Sequence, residues 1–252
     1  MNLLKPQTPI LDFSNPITKG LFLDCPLFEG AGAQARNIWR RVDGAFTGTP
    51  TWDNGVYGRV LRFSSTQGIT YLDDTTQDLV TGFSMESLVK WDNTNPNNTL
   101  ISKRSSYDGT GIPFEITRDG SNGISFRIIG NSANLNTGNI FASGIWYHIA
   151  CTWDGSTQSI YVNGVLSTSQ ARSGTVTNNA TNITIGMLPS GAEKMSGDVS
   201  HVRCWNRGLS INEVKQLHQN PFQIYKRPTL FGRSIYLSPA ASTANSNFFQ
   251  FF

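Results

Sequence analysis

The chain has 252 residues and a formal net charge of +3; 15% of its residues are charged, 38% hydrophobic and 11% aromatic. That balance excludes an acidic disordered chain, and also a coiled coil, which needs about half Ala, Glu, Lys, Leu and Arg. Low charge, 24 Gly, 11 Pro and many aromatics point instead to an all-β protein.

The charge is unevenly spread. Residues 1–200 carry 14 Lys+Arg against 16 Asp+Glu, and residues 201–252 carry 6 against 1. A basic end suits an acidic partner, but charges this dispersed make no polybasic tract. No run approaches the ~18 apolar residues of a membrane span. Met1–Ile10 lacks the apolar stretch of a signal peptide, so the chain is expected to be made and kept in a cytosol, or to leave by a route other than standard secretion. Cys25, Cys151 and Cys204 lie far apart with no C-x-x-C motif. They read as buried free thiols rather than metal or redox groups.

Strand signals dominate up to residue 209. Arg59–Phe63 and Ile69–Leu72 are short strands, Phe83–Trp91 is a longer one, and Thr99–Lys103 follows. Phe114–Arg118 and Ile124–Ile129 flank Asp119-Gly120-Ser121-Asn122-Gly123, a hairpin loop. Ile124, Phe126 and Ile128 fall on one face, as a half-buried strand requires. Ile145–Ser167 holds three apolar runs broken at Asp154-Gly155 and Asn163-Gly164. Asn-Gly suits a type I′ turn, so a three-stranded antiparallel meander is predicted. Asn182–Gly186 and Gly197–Trp205 supply two more strands.

One helix is specified. Ser210 and Glu213 make a capping box, and Leu209 and Val214 a hydrophobic staple. Val214 and Leu217 give a narrow apolar stripe, and Asn220-Pro221 stops the helix. At two to three turns it must pack on the sheets to persist. After Pro221 aromatics alternate with basic residues, a small polar stretch follows, and the last five residues include Phe248, Phe249, Phe251 and Phe252. Such an end is expected to bury on this chain or on a partner.

Two blocks carry a family resemblance. Trp146-Tyr147-His148-Ile149-Ala150, Trp153-Asp154-Gly155-Ser156 and Ile160-Tyr161-Val162-Asn163-Gly164 resemble the central signature of laminin-G-like domains with the concanavalin A-like jelly roll. Ile185-Gly186, Met195–Val199, Arg203–Ser210 and Glu213 are similar to that family's closing strand and helix. The resemblance covers roughly residues 20–220. It implies a sandwich of two antiparallel sheets, about six strands each, with one short C-terminal helix and an extended C-terminal arm. The implied divisions are a lead over 1–17, the jelly roll over 18–220 and the arm over 221–252. Asn15–Leu21 and Asn220–Lys226 also look like the flanks of laminin-G-like proteins encoded by tailed bacteriophages.

Chemistry on this fold would need particular residues. Jelly-roll glycosidases resemble one another in carrying carboxylates at alternate positions of one strand, and two carboxyls ~5–5.5 Å apart suit retaining hydrolysis. Phe83–Trp91 holds only Glu86, and Phe114–Arg118 only Glu115. Asp73 and Asp74 are adjacent and would face opposite ways on a strand. No G-x-S-x-G elbow occurs. His148 reads as structural, His201 as solvent-facing beside Arg203, and His218 as a cation at a helix C-terminus. No catalytic residue is assigned and no cofactor is expected, although the resemblance admits structural calcium. Asp92, Asn93, Asn95 and Asp108 are its loop candidates, and the same residues also serve as turn formers.

Glycan binding would use aromatic platforms, with Trp39, Trp52 and Tyr107 as candidates. Trp146, Trp153 and Trp205 read as core. In the arm, Phe222, Tyr225, Lys226, Arg227, Phe231 and Arg233 join the four terminal phenylalanines as candidates for docking on a neighbour. Nucleic acid is not expected there, because Phe and Leu dominate over charge. The resulting expectation is a non-enzymatic bacteriophage virion protein, assembled in the host cytoplasm. It would decorate head, neck or tail and contact other virion proteins and copies of itself. The alternative is a carbohydrate-binding adhesion module, and the third reading a jelly-roll glycosidase or lyase.

Overall fold

The computed structural model describes residues 4–92, 98–105, 111–129 and 134–226, with the backbone of 229–230 and 233–234. The strands are β1 (Leu21–Cys25), β2 (Gln34–Asn37), β3 (Val42–Thr47), β4 (Thr51–Gly55), β5 (Gly58–Ser64), β6 (Gly68–Tyr71), β7 (Phe83–Trp91) and β8 (Asn98–Ser102). There follow β9 (Phe114–Arg118), β10 (Ile124–Ile128), β11 (Asn134–Asn136), β12 (Trp146–Trp153), β13 (Thr157–Val162), β14 (Val165–Ala171), β15 (Ile183–Ile185) and β16 (Ser196–Trp205). Helix α1 spans Ile211–Gln219, and β17 (Thr229–Leu230) pairs with β18 (Arg233–Ser234).

The strands make two eight-stranded antiparallel sheets. One runs β14-β13-β12-β7-β16-β5-β4, with β1 also paired to β16; the other runs β11-β10-β9-β8-β15-β6-β3-β2. This is the expected jelly-roll sandwich, with two more strands per sheet than the resemblance implied. The predicted meander is β12-β13-β14. Its second turn has Asn163 at φ 51° and Gly164 at φ 77°, the positive pair that a type I′ turn demands.

Alternation fixes what each strand buries. Phe83, Met85, Val89 and Trp91 of β7 face the other sheet and meet Phe63, Phe114, Phe126 and Ile149 in the main core. Phe83 stacks on Phe114 with centroids 4.4 Å apart, so the sheets join through aromatic contact. The three cysteines are free and buried.

The outer face of the β7 sheet is also covered. Leu11, Ile17, Trp205, Leu209, Val214, Leu217, Phe222, Ile224 and Tyr225 form a second buried cluster there. Helix α1 supplies Val214 and Leu217, and its capping box is present in full. The lead and the segment after the helix complete the cover. Leu11 bridges to Tyr225, Asp12 N donates to Ile224 O at 2.8 Å, and Lys226 N donates to Ile10 O at 2.8 Å. The structured unit therefore takes in chain on both sides of residues 18–220.

Among the described residues, no helix is long and apolar enough to cross a membrane.

Candidate functional site

A cleft of about 480 Å³ opens between the lead and the β2–β3 turn. Pro9, Ile10, Leu11 and Phe13 form one wall, and Arg36, Ile38, Trp39 and Arg41 the other. Its volume falls within the usual range for small-ligand sites. The turn is held from below. Asn37 Oδ1 accepts from Asp24 N at 3.0 Å and from Trp39 N at 3.1 Å, and Ile38 N donates to Asp24 O at 2.8 Å. The lead is held by its bonds to Ile224 and Lys226. The cleft thus depends on the segment after the helix, although that segment contributes no lining residue.

Trp39 and Phe13 meet edge to face with centroids 5.5 Å apart. Phe13 and Ile10 are largely exposed, at 66% and 60%. Trp39 packs one side on the second buried cluster, and with the open side chains of Phe13 and Ile10 beside it the rest forms a stacking surface. Arg36 Nε lies 3.3 Å from Asp43 Oδ1, while Arg40 of the same turn is paired with Asp74. The Arg41 guanidinium is exposed and has no partner among the described residues.

The other candidates fall elsewhere. Trp52 lies on β4, packs on Phe46 at 6.1 Å and donates from Nε1 to Gly32 O at 3.4 Å; it does not line the Trp39 cleft. Trp153 and Trp205 are buried. Asp92 is engaged by Arg62 and by the Ser196 hydroxyl at 3.0 Å. Among the described residues, no three His, Cys, Asp or Glu group as metal ligands would. Tyr107, Asn93, Asn95, Asp108, Arg227, Phe231, Phe248, Phe249, Phe251 and Phe252 lie outside the described residues, and only the backbone of Arg233 is described. Within the arm, Phe222 and Tyr225 are buried on this domain. Phe222 packs edge to face on Tyr57 at 5.7 Å, while Lys226 is exposed.

A second cluster lies under the cover of the β7 sheet. Glu86 accepts from His148 Nε2 at 3.1 Å, His201 Nε2 at 2.7 Å and Arg203 Nη1 at 3.1 Å. Arg203 Nε reaches Asp24 Oδ1 at 3.0 Å. Burial opposes ionisation of Glu86, yet His201 and Arg203 hold its carboxyl well below the usual range. Burial pushes His201 down to about 4, so its ring is neutral at pH 7. His201 was expected to face solvent and is instead fully buried. Alternation did put it on the outer face of β16, but that face is roofed by the lead and the segment after α1. A pocket of about 160 Å³ lies beside the cluster, lined in part by His148, His201 and His218. Among the described residues, no hydroxyl bonds to the His148 or His201 ring, so the cluster lacks the nucleophile that a triad needs.

Glu86 and Glu115 are each the one carboxylate of their strand, though Glu86 shares Arg203 with Asp24 of β1. Glu86 points outward from one sheet. Glu115 points outward from the other, between Arg104 at 2.9 Å and Arg127 at 2.7 Å. The sandwich separates them, because face-packed sheets lie about 10 Å apart.

A laminin G family model, described as the concanavalin A-like lectin/glucanases superfamily, matches residues 63–215. The chain belongs to this superfamily. No curated protein sequence matches it. Among solved structures, this concanavalin A-like chain is similar to domain 4 of the extracellular arabinanase of Geobacillus stearothermophilus, in complex with arabinotriose. That pair is 19% identical with a TM-score of 0.56, over 70% of this chain and 88% of the other. The binding domain of paraclostridial mosquitocidal protein 1 aligns at 15% identity and a TM-score of 0.63, over 80% of this chain and 52% of that one. Botulinum neurotoxin type C, whose cell entry depends on interaction with two ganglioside molecules, aligns at 12% identity and a TM-score of 0.62, over 82% and 52%. The chain spans about half the length of the two toxin chains. At these identities the likeness is one of fold. The family match begins at residue 63, so the Trp39 cleft lies outside it.

Proposed function

We propose that this concanavalin A-like domain is a non-catalytic carbohydrate-binding module and that the Trp39 cleft is its binding surface. The observation that carries this reading is the pairing of a largely exposed Phe13 with a half-buried Trp39 on an open cleft of about 480 Å³. An aromatic face provides apolar area for a sugar ring while leaving its hydroxyls to solvent and polar neighbours. Structural likeness to an arabinanase domain solved with arabinotriose supports it. The non-catalytic part is supported by the state of the strand carboxylates, since Glu86 and Glu115 are each buried in ion pairs on opposite sides of the sandwich. A glycan array with wild type and Trp39→Ala tests the reading. Binding of at least one glycan class, weakened about tenfold or more by the substitution, is expected. No binding to any glycan at millimolar concentration would reject it.

A second reading concerns where the module acts. We infer a bacteriophage virion accessory protein, assembled in the host cytoplasm, with the chain beyond Lys226 attaching it to other virion proteins or to further copies. The four phenylalanines among the last five residues support an apolar attachment point. Deletion of residues 240–252 should leave a folded domain that no longer assembles, and retained assembly would sink the attachment role.

A further inference from the structure

We propose that the Trp39 cleft selects an acidic sugar, one whose ring bears a carboxylate. This rests on the carbohydrate-binding reading and narrows it to a chemical class.

The argument comes from what lines the cleft. Pro9, Ile10, Leu11, Phe13 and Ile38 offer no side-chain hydrogen-bonding group, and Trp39, Arg36 and Arg41 offer donors only. A neutral sugar presents hydroxyls, each of which both donates and accepts. On this open cleft the hydroxyls of any sugar are met by solvent, and these side chains add donors but no acceptor. A carboxylate, which only accepts, is the group that such a donor set matches best.

The two guanidiniums are also available. Arg36 uses Nε on Asp43, and its two terminal nitrogens have no partner among the described residues. Arg41 has none for its side chain, in contrast to Arg40, which is committed to Asp74. Free guanidinium forks match a planar carboxylate bidentately and reach it with charge-assisted bonds. The ring carrying that carboxylate then has Trp39 and Phe13 beside it. Asp43 offsets part of the charge of Arg36, which leaves Arg41 as the principal anion contact and Arg36 as the second.

Calorimetric titration of the full chain with matched probes tests this: sialyllactose against lactose, and trigalacturonate against its methyl ester. Dextran sulfate and a salt series serve as the polyanion control. At least one acidic probe should bind about tenfold or more tightly than its neutral partner. Arg41→Gln should erase that preference, Arg41→Lys should restore part of it, and Trp39→Ala should weaken acidic and neutral probes alike. Unchanged circular dichroism and melting temperature would confirm that each variant is folded. Equal affinity for acidic and neutral partners would overturn the acidic preference and leave the carbohydrate-binding reading standing. Failure of every sugar to bind wild type would remove both. Acidic binding untouched by the Arg36→Gln, Arg41→Gln double variant would overturn the site. Dextran sulfate binding as tightly, with a steep salt dependence, would show a general polyanion surface instead.

Discussion

The Tyr225 hydroxyl donates to Asp24 Oδ1 at 2.9 Å, joining residues 201 positions apart in the chain. Both groups are buried, and Asp24 also faces Arg203 Nε at 3.0 Å. The bond pins the segment after α1 onto β1. Burial pushes the Asp24 carboxyl up, against the pull of Arg203, so the loss of a donor there is felt. Tyr225→Phe should lower unfolding free energy by about 1–3 kcal/mol, the cost of an under-satisfied buried acceptor, measurable by urea denaturation. Truncation after Ile224 should cost more, because it also removes the tyrosine ring from the second core.

Acid should weaken the domain in a definable window. His201 titrates near 4 in the folded chain, against 6.5 ordinarily. The unfolded chain therefore binds the extra proton between those values, and stability falls as the pH drops from 6.5 toward 4. The full effect is about 3 kcal/mol. Urea midpoints at pH 7 and pH 4.5 should differ accordingly, and His201→Gln should flatten the difference. An unchanged slope in that variant would remove His201 from the explanation.

Lys5 acts at the other end of the scale. Its ammonium donates to the carbonyls of Leu27 at 3.1 Å and Ser200 at 2.6 Å, and also to that of Arg59. Burial pushes its pKa down to about 7, with Arg203 adding to the effect. Above pH 7 the folded chain has shed a proton that the unfolded chain keeps, so stability rises with pH. Between pH 7 and 8.5 the gain from Lys5 is about 2 kcal/mol. Higher still, the buried thiols of Cys25 and Cys151, whose pKa values burial raises, reverse the trend. Lys5→Met should abolish the rise between pH 7 and 8.5 in the same urea series.

Gly164 lies under the helix. A Cβ there would sit 2.9 Å from His218 Cδ2, on a backbone already at φ 77°. Gly164→Ala should therefore cost about 1–2 kcal/mol, with strain and contact acting together. The destabilisation should shrink when His218→Ala makes room, and a double-mutant cycle would measure the coupling.

The elements with strong alternation or turn chemistry were legible in the sequence: β7, β9, β10, the β12-β13-β14 meander, β16 and the capped helix. Between residues 20 and 58 the chain forms four strands that left no such mark. β3 and β4 are largely exposed and carry Gly44, Asp53, Asn54 and Gly55, residues that local preference assigns to turns. Pairing to β2 and β6 makes β3 a strand, and pairing to β5 makes β4 one. The site divides the same way. Trp39 stood out as an aromatic in loop-like surroundings. Its companions Phe13, Arg36 and Arg41 did not, because the lead reaches the β2–β3 turn only once Leu11 has paired with Tyr225. The roof over His201 was hidden for the same reason. Periodicity identifies the face of a strand, and contacts distant in sequence decide whether that face is dry.

That Leu11–Tyr225 bridge has an architectural consequence. The stretch before β1 and the stretch after α1 run side by side there, a strand spacing of ~5 Å apart, and Lys5 carries the lead on into the domain interior. Ile10 and Leu11 belong to this junction and line the Trp39 cleft, so a pull on the chain at Lys226 is felt at the cleft wall.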